Sequence, residues 1–228
     1  MDFFETVTTT RAIRRYTTDP IPEADLAQML FAATRAPSGS NRQPFRFLVL
    51  RGGPRAITAR ALLGETFRSM WNGKRAEDGY DRGSGTDASS PKARMADSMQ
   101  HFVDHFEAAP VVVLGCMVRY HAPDPVEGGS IYPACQNLLL SARALGYGGV
   151  MTMWHKMVEP QLVEILGIPD GVTIAATVSL GKPVGHHGPV RRRPIRELVY
   201  EDAWDEPATW AVDPEGTRFT SAGPPRSS

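Results

Sequence analysis

The run Pro110–Val118, PVVVLGCMV, restricts the fold more than any other stretch of the chain. It carries no charge and is far shorter than the roughly 20 residues a membrane helix needs, so it reads as a buried strand. A buried strand needs other elements to cover it. Ile131–Leu145, IYPACQNLLLSARAL, has the apolar periodicity and length of a central helix and stops at Gly146, as helices often do. Further strands are expected over Phe45–Leu50, within Tyr147–Met153 and over Thr173–Leu180. Further helices are expected over Asp2–Val7, from Pro22 to Ala36, after Pro54, over Met99–Ala108 and over Glu159–Leu166. Helices and strands follow one another without a regular βαβα rhythm, which predicts an α+β layer protein. A chain of 228 residues with 42% hydrophobic content can bury a full core as one domain with insertions.

Two polar stretches interrupt this apolar framework near the start. Arg11, Arg14 and Arg15 place three fixed positive charges one helix upstream of the turn Pro37-Ser38-Gly39-Ser40-Asn41. Arginine suits an oxyanion because its planar fork stays ionised and donates two parallel hydrogen bonds. Gly39 lets main chain approach a ligand, while Ser38, Ser40 and Asn41 offer short donors and acceptors to the edge of a heterocycle. A phosphate joined to a ring would satisfy both. Read singly, the arginines are a solvated face and the turn merely stops a helix, since these residues dominate ordinary turns.

The order of the pieces says more than each alone. Arg-x-x-Arg-x-Tyr, then Asp-Pro-Ile-Pro, then a helix, then Ala-Pro-Ser-x-x-Asn-x-Gln-Pro-Phe resembles the opening of the FMN-dependent nitroreductase superfamily. The resemblance covers Arg11–Leu50 and Pro110–Val199. It implies a mixed, mostly antiparallel sheet flanked by helices in residues 1–202, a homodimer in which both chains frame each flavin, and bound FMN. Electrons would come from NADPH or NADH and pass through flavin N5 to nitroaromatic or quinone-like acceptors in ping-pong fashion. The flavin carries that chemistry, so no catalytic residue is required of the protein.

By the same matching, Arg11 lies toward the phosphate or ribityl chain and Arg14 toward the pyrimidine edge, where a fixed cation stabilises the negative charge left by reduction. Pro37, Ser38, Gly39, Ser40 and Asn41 match the turn beneath the ring. Met151, Thr152 and Met153 match the segment that approaches N5, although methionine is most often core filler. Arg191 and Arg193 match the basic pair that closes the phosphate site, with a solvated basic run as the bland alternative. The chain departs from the family at Ala12, where many members have serine, which removes one side-chain hydrogen bond that backbone amides could replace. The resemblance also admits a same-fold flavin enzyme of another reaction, such as dehalogenation, ene reduction or flavin fragmentation, and a flavin-binding sensor that does not turn over.

Other features bound the answer. Residues 64–97 are polar, glycine- and serine-rich, and too long for an ordinary connection, which leaves a mobile segment or a lid. Trp71 and Tyr80 there are candidates to cap an aromatic substrate, or interface aromatics. Residues 203–228 read as an extension, free or laid across a neighbouring subunit through Trp204 and Trp210. Lys+Arg and Asp+Glu are equal at 25 each, so no basic field argues for nucleic acid. Cys116 and Cys135 read as buried thiols, and no apolar run approaches a membrane span, so a cytoplasmic location is expected. His101 and His105 have the spacing of a helical metal pair, but Phe102 stands where a zinc-protease motif needs its glutamate. No Gly-x-Gly-x-x-Gly follows a strand and opens a helix, so a resident Rossmann nucleotide is not expected.

Overall fold

The structure, a computed structural model, describes residues 1–220. Its elements in chain order are α1 (Phe3–Thr9), α2 (Glu23–Ala33), β1 (Phe45–Leu50), α3 (Pro54–Glu77), α4 (Pro91–Asp104), β2 (Val111–Val118), α5 (Gly128–Ala144), β3 (Gly148–Thr152), α6 (Glu159–Leu166) and β4 (Val172–Gly181). The four strands form one sheet in the order β1-β2-β4-β3, with every neighbouring pair antiparallel. The architecture is the α+β layering expected, with β2 and β4 in the centre.

Strand β2 shows why the layers form. Its side chains alternate between faces. Val112, Leu114 and Cys116 enter a core with Phe67, Trp71, Phe102 and Phe106 from α3, α4 and the short turn after α4. Val111 and Val113 enter a second core with Met29 and Ala33 of α2 and Leu138 and Ala142 of α5. Both faces are therefore covered, and each fully buried aliphatic side chain contributes roughly 1.5–3 kcal/mol. Gly115 falls where β2 crosses α5, and a Cβ there would lie 3.0 Å from Cys135 Sγ.

Residues 64–97, expected as a mobile segment or a lid, are helical over much of their length. Helix α3 runs on to Glu77, and Ser90 caps α4 by accepting a hydrogen bond from the Ala93 amide at 3.0 Å. Gly64 does not weaken α3, because the missing side chain makes room for Glu107, whose carboxylate pairs with Arg68 at 2.9 Å. Only residues 78–90 connect the two helices. Helix α2 ends at Ala33, with Thr34 as its C-cap, three residues before the expected stop.

The C-terminal extension is folded back as far as it is described. Tyr200 bridges Pro207, and the intervening hairpin presents Trp204, 82% exposed, with its ring 5.0 Å from that of Tyr200. Residues 221–228 of the expected extension lie outside the described residues. Among the described residues no helix is long and apolar enough to cross a membrane.

Candidate active site

The first arginine loop is built into the sheet. Ile13 N–H donates to Gly149 O at 2.9 Å, and Thr17 N–H to Lys182 O at 2.9 Å, so Arg11–Thr17 runs along β3 and the end of β4. Glycine permits this approach. A Cβ on Gly148 would lie 2.6 Å from Ile13 Cγ1, and one on Gly181 would lie 2.7 Å from the Tyr16 ring. The Tyr16 hydroxyl donates to Ile13 O at 2.6 Å and sits 2.8 Å from Ser179 Oγ. Burial raises its pKa far above that of an ordinary phenol, so it stays a donor that clasps the loop.

Arg14 is the chemically unsatisfied member. Among the described residues its buried Nε has no hydrogen-bond partner, and its NH1 reaches only Met95 Sδ at 4.0 Å. Desolvation lowers its pKa, and the Arg11 charge lowers it further. A buried cationic donor aimed at nothing is costly unless a ligand completes it. Met151 and Thr152, half-buried at the end of β3, and Met153 just beyond it lie on the strand that the loop follows.

The second basic cluster meets the first through main chain. Val190 N–H donates to Thr8 O at 3.0 Å, which docks the loop carrying Arg191 beside the end of α1. Arg191 is exposed, whereas Arg193 is turned onto Glu197 in an ion pair of 2.8 Å. Of this basic pair expected at the phosphate, the Arg191 side chain has no partner among the described residues, whereas Arg193 would have to leave its carboxylate. Sequence reasoning missed two neighbours. Arg143 in the last turn of α5 donates to Thr9 Oγ1 at 2.9 Å, and His187 hydrogen-bonds Tyr147 O at 2.9 Å. Burial holds the His187 pKa down, and the charges of Arg143 and Arg11 add to that effect. The partner of His187, on the loop after α5, lies 40 residues away in sequence, a pairing no local pattern announces.

The Pro37–Asn41 turn lies elsewhere. The amide of Gly39 donates to Ser130 Oγ at 3.2 Å, at the start of α5. Ser40 and Asn41 have φ of +51° and Gln43 has +48°, the left-handed region that costs most residues about 1–2 kcal/mol each. Gln43 N–H donates to Ser38 Oγ at 2.9 Å, which helps hold this shape. Ser130 and Arg143 are separated along α5 by roughly 20 Å at 1.5 Å per residue. The expectation that the two polar loops converge is therefore corrected for a single protomer: they occupy opposite ends of one rigid helix.

The aromatic candidates divide. Trp71 is 1% exposed, donates from Nε1 to Gln100 Oε1 at 3.0 Å and packs in the core, so the substrate role expected for it is corrected. Tyr80 is only partly buried, rests against Trp71 at 5.2 Å and lies close enough to Arg14 to influence its charge. The His101 and His105 rings stack at 4.2 Å, and among the described residues no three potential metal ligands cluster.

The antiparallel sheet wrapped by helices, with a guanidinium clasped to its edge strand, agrees with the class of protein that comparison of the sequence identifies, an oxidoreductase of the FMN flavoprotein class. The chain belongs to the Nitroreductase family, whose sequence model matches residues 7–182. It is 30% identical over 206 residues to an NADH dehydrogenase of Thermus thermophilus, covering 83% of this chain and 90% of that one. It is 28% identical over 218 residues to a 4-nitrobenzoate reductase of a Nocardioides strain, covering 86% and 87%. The NADPH:FMN oxidoreductase of Vibrio harveyi superposes with a TM-score of 0.62 at 21% identity, covering 89% of this chain and 78% of that one, and so shares the fold.

Proposed function

We propose that this protein is an FMN-dependent oxidoreductase that passes two electrons from NAD(P)H to nitroaromatic or quinone-like acceptors, and that each site is shared between two copies of the chain. The observation that carries this reading is the buried Nε of Arg14, partnerless among the described residues, beside a second guanidinium. FMN fits that cradle: it brings a dianionic phosphate for Arg11 and Arg191, and a pyrimidine edge with acceptors for Arg14. When bound, the flavin supplies the two-electron chemistry. Arg14 fixes positive charge beside the ring without moving, because Tyr16 and Gly149 hold its loop. The backbone of Met151–Met153 would hold the ring against the edge strand, and the burial of Arg14 Nε would keep water from competing for that donor.

The 20 Å separation supports the shared site. A two-fold axis crossing the middle of α5 brings the start of one α5 toward the end of the other, so a second copy's Ser38–Asn41 turn meets the first copy's arginine loop. The apolar groove lined by Phe3, Phe31, Leu140, Ala144 and Leu145 supplies a surface for that contact. Homodimerisation, the flavin and the cytoplasmic location expected from the sequence form one proposal.

Two experiments test it. Purified protein should be yellow, should bleach on adding NADH or NADPH without oxygen, and should regain colour on adding a nitroaromatic. A yellow protein that resists both nucleotides would point to a sensor or another reductant, and a protein that takes up no FMN would end the reading. For the shared site, R14A and a variant with Ser38 and Asn41 replaced by alanine, each of lowered activity, are mixed. Heterodimers regain one intact site if the two loops act across protomers; no recovery would place both in one chain.

A further inference from the structure

The turn that carries Ser38–Asn41 also carries Arg42, and this arginine has no role in the reading above. Among the described residues its guanidinium has no ion-pair or hydrogen-bond partner, and it sits 5.9 Å from the centre of the Tyr120 ring. The two side chains flank a cavity of about 270 Å³ that opens directly beside Gly39 and Ser40. Its apolar lining comes from Met117 and Val118 at the end of β2 and Val126 in the loop before α5. Tyr120 is 57% exposed, with the Arg42 guanidinium over one side of its ring.

Charge in the cavity is lopsided. Glu127 is the acid among the lining residues, but its side chain is only 10% exposed and is held by Arg119 at 3.3 Å, with His121 at 3.8 Å. Arg42 is left as the uncompensated charge. The backbone presents it deliberately: Arg42 itself has ordinary helical angles, while Ser40 and Asn41 before it and Gln43 after it are all in the left-handed region. Three strained residues around one regular residue fix the direction of that residue, and such strain concentrates where a ligand is gripped.

A cavity of roughly 150 Å³ suffices for benzene, so about 270 Å³ admits one substituted ring and is far too small for a dinucleotide. Resting on the proposed flavin site, we propose that Arg42 and Tyr120 form the acceptor subsite, and that it selects aromatic rings bearing a carboxylate. Tyr120 and the apolar lining from Met117 and Val118 flank the ring, and Arg42 takes the carboxylate through its fork. The subsite abuts the turn assigned to the flavin ring, so an acceptor held there lies next to the electron donor.

The test compares near-isosteres that differ in charge. Wild-type holoenzyme should use 4-nitrobenzoate in preference to its methyl ester by about tenfold to a hundredfold in kcat/KM, the range of one charge-assisted contact. Arg42→Gln should raise KM for the acid, leave kcat unchanged and leave both constants for the ester unchanged; Arg42→Lys should restore part of the preference. Equal use of acid and ester by wild type, or an equal loss for both in R42Q, overturns the proposal. Binding is read separately by calorimetry with benzoate and benzamide, which need no electron transfer. Benzoate should bind more tightly to wild type and not to R42Q; absence of benzoate binding, or no difference from benzamide, also overturns it. A colourless protein inactive toward every acceptor would instead defeat the flavin reading, so the two failures are distinguishable.

Discussion

The two ends of α5 are built on opposite terms. At the C-terminal end the Arg11–Thr17 segment is clasped by main-chain hydrogen bonds and by Tyr16, against glycines that leave no space for a side chain. At the N-terminal end the Ser38–Asn41 turn is exposed, holds non-glycine residues at positive φ and leans on α5 through the hydroxyl of Ser130. One end is a socket held rigid by its own chain. The other stores conformational strain on an open surface, as a part does whose partner arrives from outside.

The contrast can be broken most severely at the groove between the ends. Leu140→Asp places a carboxylate among Phe3, Phe31 and Leu145, and a charge buried without a partner costs about 3–5 kcal/mol. Sedimentation should then report monomers, and flavin affinity followed by absorbance should fall at least about a hundredfold while the circular dichroism holds. A monomer that kept its flavin would show that the turn is not needed from a second copy.

Arg14→Ala acts at the rigid socket alone. Loss of one charged contact, about 1.5–3 kcal/mol, lowers the flavin reduction potential by roughly 30–60 mV for a two-electron couple. Arg191→Ala, nearer the phosphate, should weaken binding and shift the potential less. Equal potentials in the two variants would remove the electronic role of Arg14.

The last pair differs in sign. Gly149→Ala should lower stability by about 1–3 kcal/mol in thermal or denaturant melts, because its Cβ meets backbone at 2.5 Å. Ser40→Gly should raise stability by about 1 kcal/mol, because the turn no longer opposes its own geometry, and should weaken flavin retention slightly. Were both substitutions destabilising, the turn would be no more strained than the loop.

The framework was legible where local pattern and packing agree. PVVVLGCMV became β2 because its burial is continuous, and the stretch before Gly146 became α5 because its burial recurs at helical spacing, at Ile131, Ala134, Cys135, Leu138 and Ala142. The arginine loop was legible from residue types, and its position on β3 is set by glycines whose reason is spatial. Trp71 was misread because α3 continues through Gly64, whose missing side chain is explained only by Glu107 and so by a contact 43 residues away. The separation of the two polar loops was equally hidden, since nothing local says that Gly39 and Thr9 dock at opposite ends of a helix formed much later in the chain.

The far end of the chain is not idle. Phe219 bridges Arg192 in parallel, Thr220 N–H donates to Arg192 O at 3.0 Å, and Asp213 accepts from Ile195 N–H at 3.1 Å. A segment beyond the family's matched span is thereby stitched to the strip that bears Arg191. A protease nick between Asp213 and Phe219, or a fusion partner spliced there, would slacken that strip and be felt as leakage of cofactor from a pocket it never touches.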